Sequence, residues 1–245
     1  MQGNQQQQAY DRGITIFSPD GRLYQVEYAR EAVKRGSASV GVRTDEGVVL
    51  AADRQTRSSL IERDSIEKTH KIDDHIAIAS AGHVADARKL IDFARRRAQV
   101  ERLRYDQPMG VEALTKAITD TIQEYTQTGG ARPFGVSLIV GGMENGEPRL
   151  FETDPSGTPY EWSALAVGGG REEIQEYFED NYEDGMTLEQ GVGLALEGLA
   201  EPNDDGLDPD GVDLQTVDEE GVLGVSQDVI EEHLEERDLL GGDDE

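Results

Sequence analysis

The chain has 245 residues, enough to bury one sizeable core, and a single compact α/β domain is the default at that length. It carries 51 acidic against 23 basic residues, a net charge of −28, so its surface repels nucleic acid and anionic membrane, whose phosphates need a basic footprint. It contains no cysteine, which excludes disulfides, thiolate metal ligands and a cysteine nucleophile.

Residues 1–9 are Gln-rich and polar, and Ser18-Pro19-Asp20-Gly21 is turn chemistry, with Pro fixing one backbone angle and Gly tolerating unusual ones. A helix follows, with Leu23, Val26, Ala29 and Val33 on one face, and Gly36 stops it. Short strands come next, around Ser39–Arg43 and Val48–Ala52, then near Lys71–Asp73 and Ile76–Ser80. Two long helical patterns run back to back, carrying Ala87, Leu90, Ile91, Ala94 and Ala98, then Val111, Leu114, Ile118, Ile122 and Tyr125. Pro108-Met109-Gly110 breaks them.

The turn Gly129–Pro133 leads into strands at Val136–Gly141, Arg149–Thr153 and Ala164–Val167, with Asn145-Gly146 marking a loop or tight hairpin. Two further helices hold Ile174, Tyr177 and Phe178, then Leu188, Val192, Leu196 and Leu199. An acidic loop, Glu201–Gly211, precedes strands at Val212–Val217 and Gly221–Val225, a last helix with Val229, Ile230 and Leu234, and an acidic tail. Strands cluster in runs and helices arrive in pairs, which argues against a doubly wound parallel sheet. Two antiparallel sheets with helical layers outside fit better.

Candidate chemistry along this chain reads mostly as structure. Gly168-Gly169-Gly170 follows a strand and opens a helix, but Glu172 and Glu173 would repel a phosphate, so a tight strand-to-helix turn is expected. In Asp204–Gly211, a calcium-loop register with Gly211 as the turn glycine puts Gly206 and Val217 at ligand positions, and a solvated loop results. His70, His75, His83 and His233 lack zinc-site spacing, and no cofactor or metal is implied. Asp53 with Lys68 or Lys71 is compatible with acid/base work, although isolated charges are usually surface or ion-pair residues. Gly36-Ser37 before the first strand is where a self-processing hydrolase would expose a nucleophile whose own amine serves as base; the plainer reading is a helix-ending glycine.

No basic-then-apolar leader opens the sequence and no apolar stretch approaches a bilayer span, so a soluble, cytoplasmic protein is expected. Acidic residues are spread along the whole chain, which reads as adaptation to a salt-rich cytoplasm where screening shortens repulsion to a few ångströms.

The run Tyr10-Asp11-Arg12-Gly13-Ile14-Thr15-Ile16-Phe17-Ser18-Pro19-Asp20-Gly21-Arg22-Leu23-Tyr24-Gln25-Val26-Glu27-Tyr28-Ala29 closely resembles the N-terminal signature of proteasome α subunits, archaeal type. Further matches lie at Ser65–Lys68, at Gly82 with Val84–Arg88, and at Arg132–Leu138. The resemblance covers roughly residues 8–235.

It implies a four-layer α/β/β/α sandwich of two antiparallel sheets, the N-terminal-nucleophile hydrolase fold. The domain would span 19–237, between a mobile gate segment, 1–18, and a disordered acidic tail, 238–245. It further implies a non-catalytic subunit of the 20S core particle, sharing a seven-membered ring with other α subunits, stacked on catalytic β subunits and docking the C-terminal tails of an AAA-type ATPase. By the same resemblance Tyr10, Asp11, Arg12, Pro19 and Tyr28 form the gate cluster, and the helix near Leu23–Lys34 lies across the ring's outer face. Gly36, Lys68 and Gly82 form the activator-tail pocket, with Gly129, Gly130, Ala131 and Arg132 lining the pore. Catalytic relatives begin with threonine near Ser37, so Lys68 would reflect shared ancestry.

Overall fold

The computed structural model describes residues 17–54, 56, 58 and 60–241 of the chain. Tyr10, Asp11 and Arg12, with most of the expected gate segment, lie outside the described residues, as do residues 242–245 of the expected tail.

Two five-stranded sheets carry the described chain, and every pairing in them is antiparallel. The first joins β1 (Ser39–Arg43), β2 (Val48–Asp53), β8 (Ala164–Val167), β9 (Val212–Asp218) and β10 (Gly221–Gly224), in the order β10-β9-β2-β1-β8. The second runs in chain order through β3 (Thr69–Asp73), β4 (Ile76–Gly82), β5 (Val136–Glu144), β6 (Glu147–Thr153) and β7 (Pro159–Glu161). Six helices accompany them among the described residues: α1 (Tyr24–Lys34), α2 (Val84–Tyr105), α3 (Val111–Gln127), α4 (Arg171–Asn181), α5 (Leu188–Ala200) and α6 (Gln227–Glu236). None is long and apolar enough to cross a membrane.

Three apolar clusters define the layers, and strand side chains alternate between them as the two-residue pleat requires. Val49 and Ala51 of β2 pack with Ile174 and Phe178 of α4, Leu196 and Leu199 of α5, and Ile230 of α6. Val48 and Leu50 of the same strand pack with Ala77, Ala79, Ile139 and Leu150 of the other sheet. On β4, Ile76 and Ile78 turn to Leu90, Leu114 and Ile118 of α2 and α3. Both faces of each sheet are therefore covered, which explains why the central strands read as apolar runs. The result is the expected α/β/β/α sandwich.

Small residues set the spacing between the sheets. A Cβ on Gly41 would lie 2.8 Å from Ile139 Cγ2, and one on Gly141 would lie 2.7 Å from Val48 Cγ1. Asn145 and Gly146 take φ of 55° and 81° between paired Glu144 and Glu147, the two-residue hairpin turn that needs both angles positive. Most strands extend a residue or more beyond their apolar runs, taking in buried polar or small residues such as Asp53, Thr69, His70 and Gly142. Edge strand β7, which starts on a proline, has no apolar run to reveal it. Beyond α6, Leu207 N–H donates to Leu239 O (2.8 Å) and Gly241 N–H to Leu207 O (2.9 Å). Ordered contacts thus continue past residue 237, where the domain boundary was expected, to Gly241.

Candidate functional site

A cleft of roughly 1550 Å³ opens where the end of α1, the α1–β1 junction, the residues before β3 and the first turns of α2 meet. Gly36, Lys68 and Gly82 all line it. Chain segments close in here because they carry no side chains. A Cβ on Gly36 would lie 2.5 Å from the Gly82 nitrogen and 3.0 Å from its Cα. Gly82, at φ 121°, abuts Gly135 O, and Gly169 N–H donates to Gly36 O (2.7 Å). The glycine at position 36 is thus required by close approach to another backbone. The residue that caps α1 is Arg35, in ordinary right-handed conformation. The Gly168–Gly170 turn borders this cleft through Gly169 and is the tight strand-to-helix connection expected, with Gly168 and Gly170 at φ 100° and 66°.

Lys68 stands in the cleft with its backbone pinned: its own N–H and that of Thr69 both donate to Asp213 Oδ2, at 3.0 and 2.9 Å. Its ammonium donates to Ser37 O (2.7 Å), Ser37 Oγ (2.8 Å) and Ala38 O (3.1 Å). Burial pushes its pKa down to about 8, with the Asp53 and Asp213 carboxylates pulling the other way. Ser37 Oγ donates onward to the backbone oxygen of Asp53 (2.7 Å). Ser37, Lys68 and Asp53 therefore do converge. Self-processing chemistry would need the Ser37 amine freed by cleavage after Gly36. Lys71 stands apart from them and pairs with Asp74 at 3.0 Å.

The lining is unusual for so acidic a chain. Lys34, Arg35, Lys68, Arg88 and Arg95 face three carboxylates, Glu31, Glu67 and Asp92, a local excess of two positive charges in a chain of net −28. Such a concavity favours an anion.

Of the residues expected at the gate, Pro19 and Tyr28 are described. Pro19 is exposed in a turn closed by Gly21 N–H to Ser18 O (2.8 Å), and half-exposed Tyr28 stands on the cleft wall. α1 is fastened by Arg30, whose guanidinium grips Asp154 at 2.9 and 3.1 Å. In the loop expected to line the pore, a Cβ on Gly129 or Gly130 would meet no atom within 4 Å. Arg132 turns back to bond Asp86 through both terminal nitrogens, at 2.6 and 2.8 Å. Burial alone would push the Asp86 carboxyl up, but Arg132 and the Gly135 N–H (2.9 Å) more than offset it and hold it below the usual range. The acidic 201–211 loop is tied down by an ion pair between Arg63 and Asp208.

Sequence reasoning missed Asp86, Arg30 with Asp154, and buried Glu152 with half-buried Arg171, bonded at 2.7 and 3.1 Å. Asp86 left the only trace, an acidic residue in the first turn of a helix. Arg30 and Asp154 lie 124 positions apart, and Glu152 and Arg171 lie 19 apart on different elements, so no local pattern joins either pair.

Comparison with known proteins places the geometry in context. A family model described as a proteasome subunit matches residues 33–217, and one describing the N-terminal signature of A-type proteasome subunits matches residues 10–32. The proteasome alpha subunit of Natronomonas pharaonis is 69% identical over 248 aligned positions, covering 100% of this chain and 97% of the relative. Proteasome alpha subunit 2 of Haloarcula marismortui is 70% identical over 243, covering 98% and 99%. Proteasome alpha subunit 1 of Haloferax volcanii is 66% identical over 247, covering 100% and 98%.

Proposed function

The chain belongs to the proteasome α-subunit family, and from that premise we propose that it builds the seven-membered outer rings of a 20S core particle without cutting peptide bonds itself. Catalytic β subunits lie beneath those rings, and the assembly degrades proteins in the cytoplasm. Residues before Ser18 close the axial pore, and Tyr10, Asp11, Arg12, Pro19 and Tyr28 order the opened gate. A bound activator shifts the balance between the closed and opened gate. Gly129–Arg132 line the pore below. The high acidity suits a salt-rich cell interior.

The observation that carries the docking role is the cleft of Gly36, Lys68 and Gly82, net positive in a chain of −28. A terminal carboxylate of an AAA-type ATPase is a stronger acceptor for the Lys68 ammonium than the neutral oxygens of Ser37 and Ala38. Gly36 and Gly82 pack the chain's own backbone tightly behind that lysine and so fix the wall of the cleft.

The test uses core particles assembled with a β subunit. Lys68→Ala abolishes ATPase-stimulated degradation while small-peptide hydrolysis persists, and deletion of residues 1–12 raises basal hydrolysis of long substrates. Loss of small-peptide hydrolysis in Lys68→Ala counts against a docking role, and unchanged rates in the deletion sink the gate assignment.

A further inference from the structure

The first turn of α2 has two sides with different partners. His83, Val84, Ala87 and Arg88 line the cleft. From the same turn Asp86, only 6% exposed, takes both terminal nitrogens of Arg132 and the N–H of Gly135. The backbone follows the same path: His83 N–H donates to Gly135 O (2.8 Å), against which Gly82 is also pressed. Helix α1 reaches this point as well, since a Cβ on Gly135 would sit 3.4 Å from that of Ala32, another cleft residue.

Little else described restrains the 129–132 loop. Inside it, Ala131 N–H bonds Thr128 O at 3.2 Å and Arg132 bonds the adjoining Pro133 O at 3.0 Å. Its two glycines stand in open space. A guanidinium held at two points by a buried carboxylate fixes orientation as well as distance, which a single bond does not. A shift of the α2 turn must therefore carry Arg132 with it.

We propose that Asp86 is a positioning residue that links the cleft to the pore loop, so that an occupant pressing on the first turn of α2 reorients Gly129–Arg132. This rests on the reading of cleft and loop given above. The coupling element is the Asp86–Arg132 pair, which stands outside the cleft, together with the backbone contact of Gly135 with cleft residue Gly82.

The experiment uses assembled core particles, a synthetic heptapeptide matching the activator's C-terminus with a free carboxylate, and a quenched fluorogenic substrate long enough to need an open pore. Asp86→Asn keeps the shape and removes the charge, while Arg132→Lys keeps the charge and loses the two-point grip. Peptide affinity, read by fluorescence anisotropy, stays within about twofold of the parent in both, whereas stimulation falls about fivefold, the lower end of ordinary coupling between sites. A merely structural lesion would lower both together with particle stability, measured alongside. Stimulation at the parent level in Arg132→Lys overturns the coupling, and loss of affinity in step with stimulation overturns it by making Asp86 part of the docking site. Failure of the parent particle itself to bind the peptide defeats the cleft reading, and the inference with it, independently of either variant.

Discussion

Replacing Arg171 with methionine strands a buried carboxylate between the sheets. Glu152, 3% exposed on β6, has both oxygens on the Arg171 guanidinium, at 2.7 and 3.1 Å. Even so, burial keeps its carboxyl above the ordinary value. Breaking a fully buried pair costs about 3–5 kcal/mol; with the Arg171 side chain 39% exposed, solvent offsets part of this and about 2–3 kcal/mol is expected, relieved further by taking up a proton. The folded-state pKa then climbs further above the unfolded value of 4.5. Between those two values the native chain holds more protons than the unfolded one, so stability falls as pH rises.

At pH near 8 the melting midpoint of Arg171→Met should therefore drop by about 4–12 °C, taking roughly 2–4 °C per kcal/mol for a chain of this size. Toward pH 5 much of the loss returns. Circular dichroism melts of the full chain in concentrated salt read both, since salt reaches the buried carboxylate weakly. Arg171→Met combined with Glu152→Gln should recover most of the midpoint. A loss independent of pH, or a double variant no better than the single, refutes the reasoning. Arg171 opens α4 directly after the Gly168–Gly170 turn, so the same pair steadies one rim of the cleft.

If the Lys68 ammonium captures a carboxylate, activator stimulation should decline as pH rises through about 8, where the lysine loses its proton. Lys68→Arg, which stays charged, should flatten that profile between about pH 7 and 9, and an identical decline in the arginine variant removes the lysine as its cause. The lysine also has a stability signature: between about 8 and 10.5 the native chain binds fewer protons than the unfolded one, so this contribution rises with pH. Urea titrations of the parent should show it and those of Lys68→Met should not. Gly146→Ala tests backbone geometry alone, since φ is 81° and nothing lies within 4 Å of the new methyl. About 1–2 kcal/mol should be lost, and an unchanged urea midpoint contradicts the turn assignment.

Sandwich order was legible because each central strand is an apolar run and each helix repeats its apolar positions, as in Val48–Ala52 and Leu90, Ile91 and Ala94. Asn145-Gly146 announced its turn because few residues accept both positive angles. What escaped depends on distance in the chain. Arg132 and Asp86 lie 46 positions apart and Arg30 and Asp154 lie 124 apart, and no local pattern marks such partners. Gly36 was visible as a helix end, but its true constraint, the nitrogen of Gly82, belongs to another strand's terminus. The cleft residues were found through resemblance. Their charge excess appeared only when folding set Arg35, just past α1, and Arg88 and Arg95 of α2 around the same cleft as Lys68.

The central claim is that this chain builds a ring and remains whole, and native mass spectrometry with electron microscopy of the chain expressed alone in high salt tests it most directly. Seven-fold rings of full-length subunits are the predicted result. A monomer cut before Ser37, shortened by its first 36 residues, would contradict it and make the chain a self-processed hydrolase.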